Sequence, residues 1–212
     1  MAAVCFTAPP QTLAQNLNPG IAPPGSKLQG LSAGDWSKKW WVWALETPAV
    51  DNPLLDTTGE KCAVGQSGRV WFLGGTLGPS DPVVRTCDVP TGTSFFVPAV
   101  NAFCVAEGDG TLEAQRACAA AFLDKVTSVL VEIDGAPVEA LESYRALSPS
   151  FDLMLPDGNV FGAPAGTYTP TAADGYYLFV RPLSAGQHTI HLRAEFGTDV
   201  IDVTYFLNVV AP

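Results

Sequence analysis

Two stretches near the C-terminus decide the fold: Ile190-His-Leu-Arg-Ala-Glu-Phe196 and Ile201-Asp-Val-Thr-Tyr-Phe-Leu-Asn-Val209. In the first, Ile190, Leu192, Ala194 and Phe196 face one way and His191, Arg193 and Glu195 the other. In the second, Ile201, Val203, Tyr205, Leu207 and Val209 alternate with Asp202, Thr204 and Asn208. Side chains alternate across a strand, so each stretch predicts a strand with one face in a core and one in water. The same period recurs toward the N-terminus. Val129, Val131 and Ile133 are the apolar positions of a strand closed by an Asp134-Gly135 turn. Phe151, Leu153 and Leu155 alternate with Asp152 and Met154, and Tyr176–Arg181 follows a second Asp-Gly pair, Asp174-Gly175, which also reads as a turn. Val83–Val89 and Ser94–Phe103 are strands parted by Pro90 and Gly92, and Arg69–Gly74 suits a strand buried on both faces. Short strands between turn signals predict a mainly β protein, an antiparallel β-sandwich or jelly roll.

Two peripheral α-helices complete the expectation. Ser32 and Asp35 form a capping box, after which Trp36, Trp40 and Trp43 share a stripe about 60° wide, with Trp41 off it and Pro48 ending the helix. A second helix runs from Thr111 to about Val126, with Ala119, Phe122, Leu123 and Val126 as its apolar stripe and Glu113 in its first turn. Residues 1–30 hold five prolines, three glycines and one charge, Lys27. They read as an extended arm or linker, followed by a single β-sandwich domain over 31–212.

The composition excludes several classes. Across 212 residues, 11 Lys plus Arg stand against 21 Asp plus Glu, a net charge of −10, so nucleic acid is not an expected partner. No apolar run approaches the roughly 18 residues of a membrane span. The cysteines, at 5, 62, 87, 104 and 118, contain no C-x-x-C pair and lie far from His188 and His191, which argues against structural zinc. Two disulfides are expected, Cys62–Cys87 and Cys104–Cys118, because each joins neighbours within one local unit. The other pairings of these four, or five reduced and buried thiols, remain open. Met1-Ala-Ala-Val-Cys-Phe6 has neither the basic nor the apolar region of a signal peptide. The chain is either cytoplasmic or exported with its signal removed; cysteine usage, prolines and acidity favour the second, a secreted or periplasmic protein. Composition says nothing of oligomeric state.

A further observation supports export. One stretch carries Trp40-Trp41-Val-Trp43, Asn52-Pro-Leu-Leu-Asp56-Thr-Thr-Gly59, Cys62, Gly65-Gln66 and Val70-Trp-Phe-Leu-Gly74; another carries Asp174-Gly-Tyr-Tyr177, Pro182-Leu-Ser-Ala-Gly-Gln-His188-Thr-Ile-His191 and Asp202-Val-Thr-Tyr205. Together they resemble a group of uncharacterised exported bacterial proteins over most of residues 36–210. The resemblance implies export and one β-rich domain, and no activity.

Candidate chemistry gathers in one loop. Glu46, Asp51, Asp56 and Glu60 follow one another at intervals of five, five and four residues beside the tryptophan helix. Glycoside hydrolysis needs two carboxyl groups, one held protonated, so Glu46, Asp51 and Asp56 are candidate catalytic groups, with His188 as a candidate base. Glycan binding needs an aromatic platform beside amides and carboxylates, a role open to Trp41, Asn52, Glu60 and Asn101, with Glu107 near the last. No cofactor is expected, although the same oxygens suit Ca²⁺. The plainer reading of Asp56-Thr-Thr-Gly59 is a turn whose aspartate caps its own backbone. Ser67 lacks the glycine two residues on that a nucleophile elbow requires, Arg69 standing there. The expected function is an exported glycan-interacting protein; the alternatives are a small secreted glycosidase and a structural surface or assembly module.

Overall fold

The alternating stretches do form strands, and they set the architecture. A computed structural model describes residues 17–106 and 110–211. The elements are α1 (Ala33–Glu46), β1 (Val70–Phe72), β2 (Val83–Pro90), β3 (Ser94–Val105), α2 (Leu112–Leu123), β4 (Ser128–Ile133), β5 (Ala136–Pro137), β6 (Arg145–Leu147), β7 (Phe151–Leu155), β8 (Gly166–Val180), β9 (Gly186–Phe196) and β10 (Asp199–Val210). The protein is mainly β, with two helices. One sheet has the order β1-β3-β8-β6, with β7 also on β8; the second has the order β2-β10-β9-β4-β5.

Both sheets are mixed, which corrects the antiparallel expectation. β1 runs parallel to β3 (Val70 opposite Ser94), and β2 runs parallel to β10 (Val83 opposite Val203). The reason lies at Pro90–Gly92. That turn carries the chain from one sheet to the other, so β2 and β3 are sequence neighbours without being hairpin partners. β2 then finds its partner in the last strand, a pairing that no local signal announces. The Asp134-Gly135 turn does close a hairpin, β4 to β5, with both residues in the left-handed region (φ 51° and 76°). Asp174-Gly175 does not turn; it lies inside β8. A Cβ on Gly175 would fall 2.6 Å from both Asn101 Cβ and the Tyr177 ring, and Asp174 accepts bonds from Arg145 Nε and Nη2 at 3.0 and 2.7 Å. Close packing and an ion pair from the buried Asp174 to the partly exposed Arg145, not chain reversal, select these two residues.

Three apolar clusters hold the molecule. The inner faces of both sheets share the first, including Phe95, Val97, Leu178, Ile190, Leu192, Val203 and Leu207. The second lies between α1, β7 and the other face of β3 and β8. The third, smaller, puts Leu123 of α2 on Val100 and Ala194. The α1 capping box is present, Ser32 Oγ accepting from Asp35 N and the Asp35 carboxylate from Ser32 N. On α2, Ala119 and Leu123 are buried, but Phe122 is 50% exposed, with Lys125 Nζ over its ring. The Cys104–Cys118 bond fixes the rotation of the helix and leaves Phe122 at the margin of the stripe. Within the N-terminal segment, Ile21 enters the first cluster, and Ala22 N donates to Phe179 O at 2.9 Å. Among the described residues no helix is long and apolar enough to cross a membrane.

Both expected disulfides are present, Cys62–Cys87 and Cys104–Cys118, with Cα separations of 5.8 and 6.1 Å; Cys5 lies outside the described residues. Each closes a short loop and restricts the unfolded chain, so replacing either pair with alanine is expected to cost about 3 kcal/mol of unfolding free energy. Alkylation of the unfolded, unreduced chain should spare these four thiols and, after reduction, modify them all, as read by peptide mass spectrometry.

Candidate functional site

The loop that gathers carboxylates is built around a buried cation. β2 alternates buried and exposed positions from Val83, which places Arg85 on the buried parity; it is 1% exposed. Its Nε donates to Asp56 O at 2.7 Å, Nη1 to Gly74 O, Gly75 O and Tyr205 Oη at 3.1, 3.0 and 2.6 Å, and Nη2 to Leu54 O at 3.3 Å. Tyr205 Oη in turn donates to Gly74 O at 2.8 Å. These neutral oxygens stand in for the water that burial removes. The guanidinium therefore organises residues 54–56 and 74–75 from within.

Each candidate of the loop is accounted for around that centre. The Asp56 carboxylate accepts from the N–H groups of Thr58, Gly59 and Lys61, each at 2.9 Å, and from the Thr58 hydroxyl. Desolvation would raise its pKa, but these four donors outweigh it and hold the carboxyl below the usual carboxylate range. A glycosidase acid needs the opposite shift. With its oxygens spent on N–H donors, Asp56 is also a poor Ca²⁺ ligand. Gly59 is required here: its φ is +99°, and a Cβ would lie 2.2 Å from Thr86 O. Asn52 is fully buried, donating to Ala44 O and Thr47 O and accepting from Leu54 N. Glu46 accepts from Met154 N at 2.9 Å, while Asp51 and Glu60 are exposed. The loop does not bring these carboxylates together around a cleft.

Trp41 is 5% exposed, so its ring offers no platform. α1 is enclosed on more than its tryptophan stripe: Trp36, Trp40 and Trp43 donate to Leu28 O, Leu73 O and Val64 O, stitching the helix to three separate segments. Trp41 packs on Phe103 and, with Asn101, approaches the Tyr177 hydroxyl, which accepts from Ser37 Oγ at 2.7 Å. Burial pushes the Tyr177 phenol pKa up; Trp41 Nε1 and Asn101 Nδ2 favour its ionised form but miss hydrogen-bonding geometry and have no partner among the described residues. This is an interior polar cluster. Glu107 lies outside the described residues.

A concave part of the surface lies elsewhere, on the second sheet. A cavity of about 430 Å³ is lined by Thr86, Asp134, Gln187, His188, Thr189, Phe206, Leu207 and Asn208. Phe206 is 46% exposed. In register, Thr86, Phe206 and Thr189 form one cross-strand row, and Asn208 with Gln187 the next. Asn208 Nδ2 donates to Asp88 at 2.9 Å. His188, the base candidate, lies at this end of β9 rather than at the loop, on the buried parity shared with Ile190: Nδ1 is 2.7 Å from Asp134 Oδ2, and Nε2 is 3.1 Å from both Oγ and O of Ser184. In the sequence Asp134 reads as a turn residue and Phe206 as one more strand position. Three signals were available, namely the outward parity of Phe206, the buried parity of Arg85 and the four-residue spacing of Ser184 and His188.

Farther along the same face, His191 bridges Glu132 on β4 and Asp202 on β10, 3.0 Å from each, and Arg193 pairs with Asp202 and Glu195. With a carboxylate at both nitrogens the imidazole is best satisfied as a double donor. Desolvation would lower its pKa, but the hydrogen bonds and charges of Glu132 and Asp202 outweigh it and raise the pKa above the ordinary histidine value of 6.5. Among the described residues no group of three or more His, Cys, Asp or Glu side chains is arranged to hold a metal ion. No protein-family model matches the chain, and no curated protein matches it either.

Two outcomes follow from these networks. Arg85→Met removes the guanidinium from five oxygens, of which Gly74 O keeps the Tyr205 hydroxyl and Tyr205 Oη keeps Gly74 N, and is expected to cost on the order of 3 kcal/mol; Arg85→Lys, which lacks the fork, should recover only part of it, as measured by urea unfolding. For His191, a folded pKa above the unfolded one means that its stabilisation is complete below the unfolded value and is lost as pH rises through the raised one. The melting temperature difference between the wild type and His191→Gln should be largest near pH 5.5 and shrink above neutrality; a difference independent of pH would contradict the bridge.

Proposed function

We propose that this chain is an exported glycan-binding module, its two sheets packed as a β-sandwich, and that the saccharide lies on the second sheet rather than against the loop of residues 46–60. The observation that carries the reading is the exposed Phe206 ring in a cavity walled by hydroxyl, amide and carboxylate groups. A sugar presents an apolar C–H face and a rim of hydroxyls, so it needs one flat apolar contact and several short polar partners at fixed spacing. Phe206 provides the first; Thr86, Thr189, Gln187, Asn208 and Asp134 provide the second. The volume falls within the roughly 300–1,000 Å³ of ordinary ligand sites. Export draws its support from the two disulfides, which persist in oxidising compartments.

A glycan array followed by calorimetry on the hits tests the proposal. The wild type should bind, Phe206→Ala should weaken binding at least about tenfold, and Glu60→Gln, a change in the rejected loop, should leave it unaltered. Wild-type silence across the array sinks the reading. The assembly-module alternative rests on three exposed apolar residues of the outer face of β2 and β10, Val84 one row from Phe206 and Val210 two rows beyond it. It predicts concentration-dependent association in light scattering that Phe206→Ala abolishes.

A further inference from the structure

We propose that Ser184, His188 and Asp134 form a nucleophile, base and orienting carboxylate that cleave a carboxylic ester at the end of the second sheet, where the segment before β9 meets the β4–β5 turn. For the alcohol half of the substrate, a saccharide, the inference rests on the reading above; the chemistry itself stands on the three side chains.

Asp134 is held from several sides. It occupies a left-handed turn position (φ 51°); its N–H donates to Thr189 O at 2.9 Å, its Oδ1 accepts from Thr189 N at 2.8 Å, and its Oδ2 meets His188 Nδ1 at 2.7 Å. Desolvation would raise its pKa, yet the His188 and Thr189 hydrogen bonds hold it below the usual carboxylate range, so it is ionised as an orienting group must be. An ionised Asp134 at Nδ1 requires Nδ1 to carry its proton. In the neutral ring Nε2 then has a lone pair, and of its two neighbours at 3.1 Å only the Ser184 hydroxyl can donate to it. Once Nε2 has taken the serine proton, the Ser184 carbonyl, also at 3.1 Å, becomes the acceptor that steadies the imidazolium. The two contacts of Nε2 therefore match two successive states of a general base. His188 shares the buried parity of Ile190 and stands opposite Leu207, so its ring lies on the core side of β9, while Ser184 is exposed just before that strand, open to solvent and substrate.

The chemistry balances with water alone. Ser184 Oγ attacks the acyl carbon as its proton passes to Nε2. The C–O bond to the sugar breaks, and that proton leaves with the sugar hydroxyl. Water then attacks the acyl-serine, giving a proton to Nε2; the carboxylic acid departs and Ser184 regains its hydrogen. Net, an ester and water become an acid and an alcohol.

The test uses the full chain with p-nitrophenyl acetate and an acetylated xylo-oligosaccharide, reading nitrophenolate and acetate release, and phenylmethylsulfonyl fluoride with peptide mass spectrometry. Expected are turnover that falls about 10²–10⁴-fold in Ser184→Ala, sulfonylation of Ser184, and loss of that labelling in His188→Gln and Asp134→Asn. Ser184→Ala alters an exposed hydroxyl, and an unchanged melting temperature establishes that it folds. An unlabelled wild type that is no faster than Ser184→Ala overturns the proposal. The two readings separate: glycan binding without ester cleavage removes only this one, and cleavage of p-nitrophenyl acetate without glycan binding removes only the saccharide.

Discussion

A guanidinium buried without a carboxylate among its hydrogen-bond partners is the constraint on which much of this molecule depends. Arg85 is satisfied by backbone oxygens of Leu54, Asp56, Gly74 and Gly75 and by the Tyr205 hydroxyl, so four stretches of chain must meet at one point. An unsolvated charge is too costly to tolerate loose partners. The consequences spread outward. Leu73 O, next to this centre, accepts from Trp40 and draws α1 in, and at Gly74 a Cβ would lie 2.5 Å from the Trp40 ring. Gly59 is pressed against Thr86, the residue after Arg85, which turns the Asp56 carboxylate onto its own backbone. The loop thus has its polar groups directed inward, which is why its acidity does not make a cleft.

What was legible in the sequence was what local chemistry determines. The alternation in β9 and β10, the Ser32–Asp35 capping box, the Asp134-Gly135 hairpin and the short-range disulfides each express an interaction between residues close along the chain. What was not legible depends on partners far away. β2 could not announce β10, because an alternating strand looks the same beside a parallel or an antiparallel neighbour. Asp174-Gly175 carries a turn signature, but Arg145 and Asn101 override it from other strands. Trp41 sits off the helical stripe, and only the wall formed by Phe103 and Tyr177 makes that side an interior one.

The candidate site fared likewise. Glu46, Asp51, Asp56 and Glu60 cluster in sequence, yet clustering says nothing of direction, and Asp56 and Glu46 are committed to backbone donors. His188 was visible as a potential base, but its partners were hidden: Asp134 lies 54 residues away and reads as a turn former, while Ser184 reads as loop. The fold joins them because the β4–β5 turn abuts the start of β9.

The charge around the cavity bears on the ligand proposed for it. The outer face of the second sheet carries Asp88, Glu132, Glu195 and Asp202, and their partners are few: His191 and Arg193 serve three of them, and Asn208 the fourth. On a chain of net charge −10, such a surface repels anions at long range and leaves little cationic charge to bind them at short range. A neutral, hydroxyl-rich ligand escapes that penalty, because its interactions are hydrogen bonds and apolar contact at Phe206. The paired ladder has a second effect. Cross-strand bridges from β4 through β9 to β10 tie together the same strands that hold Thr189, Gln187 and Phe206 in line. Protonation of His191 therefore bears on the pairing of β4, β9 and β10 as well as on the charge of their outer face, because each of its two nitrogens holds a carboxylate from a different neighbouring strand.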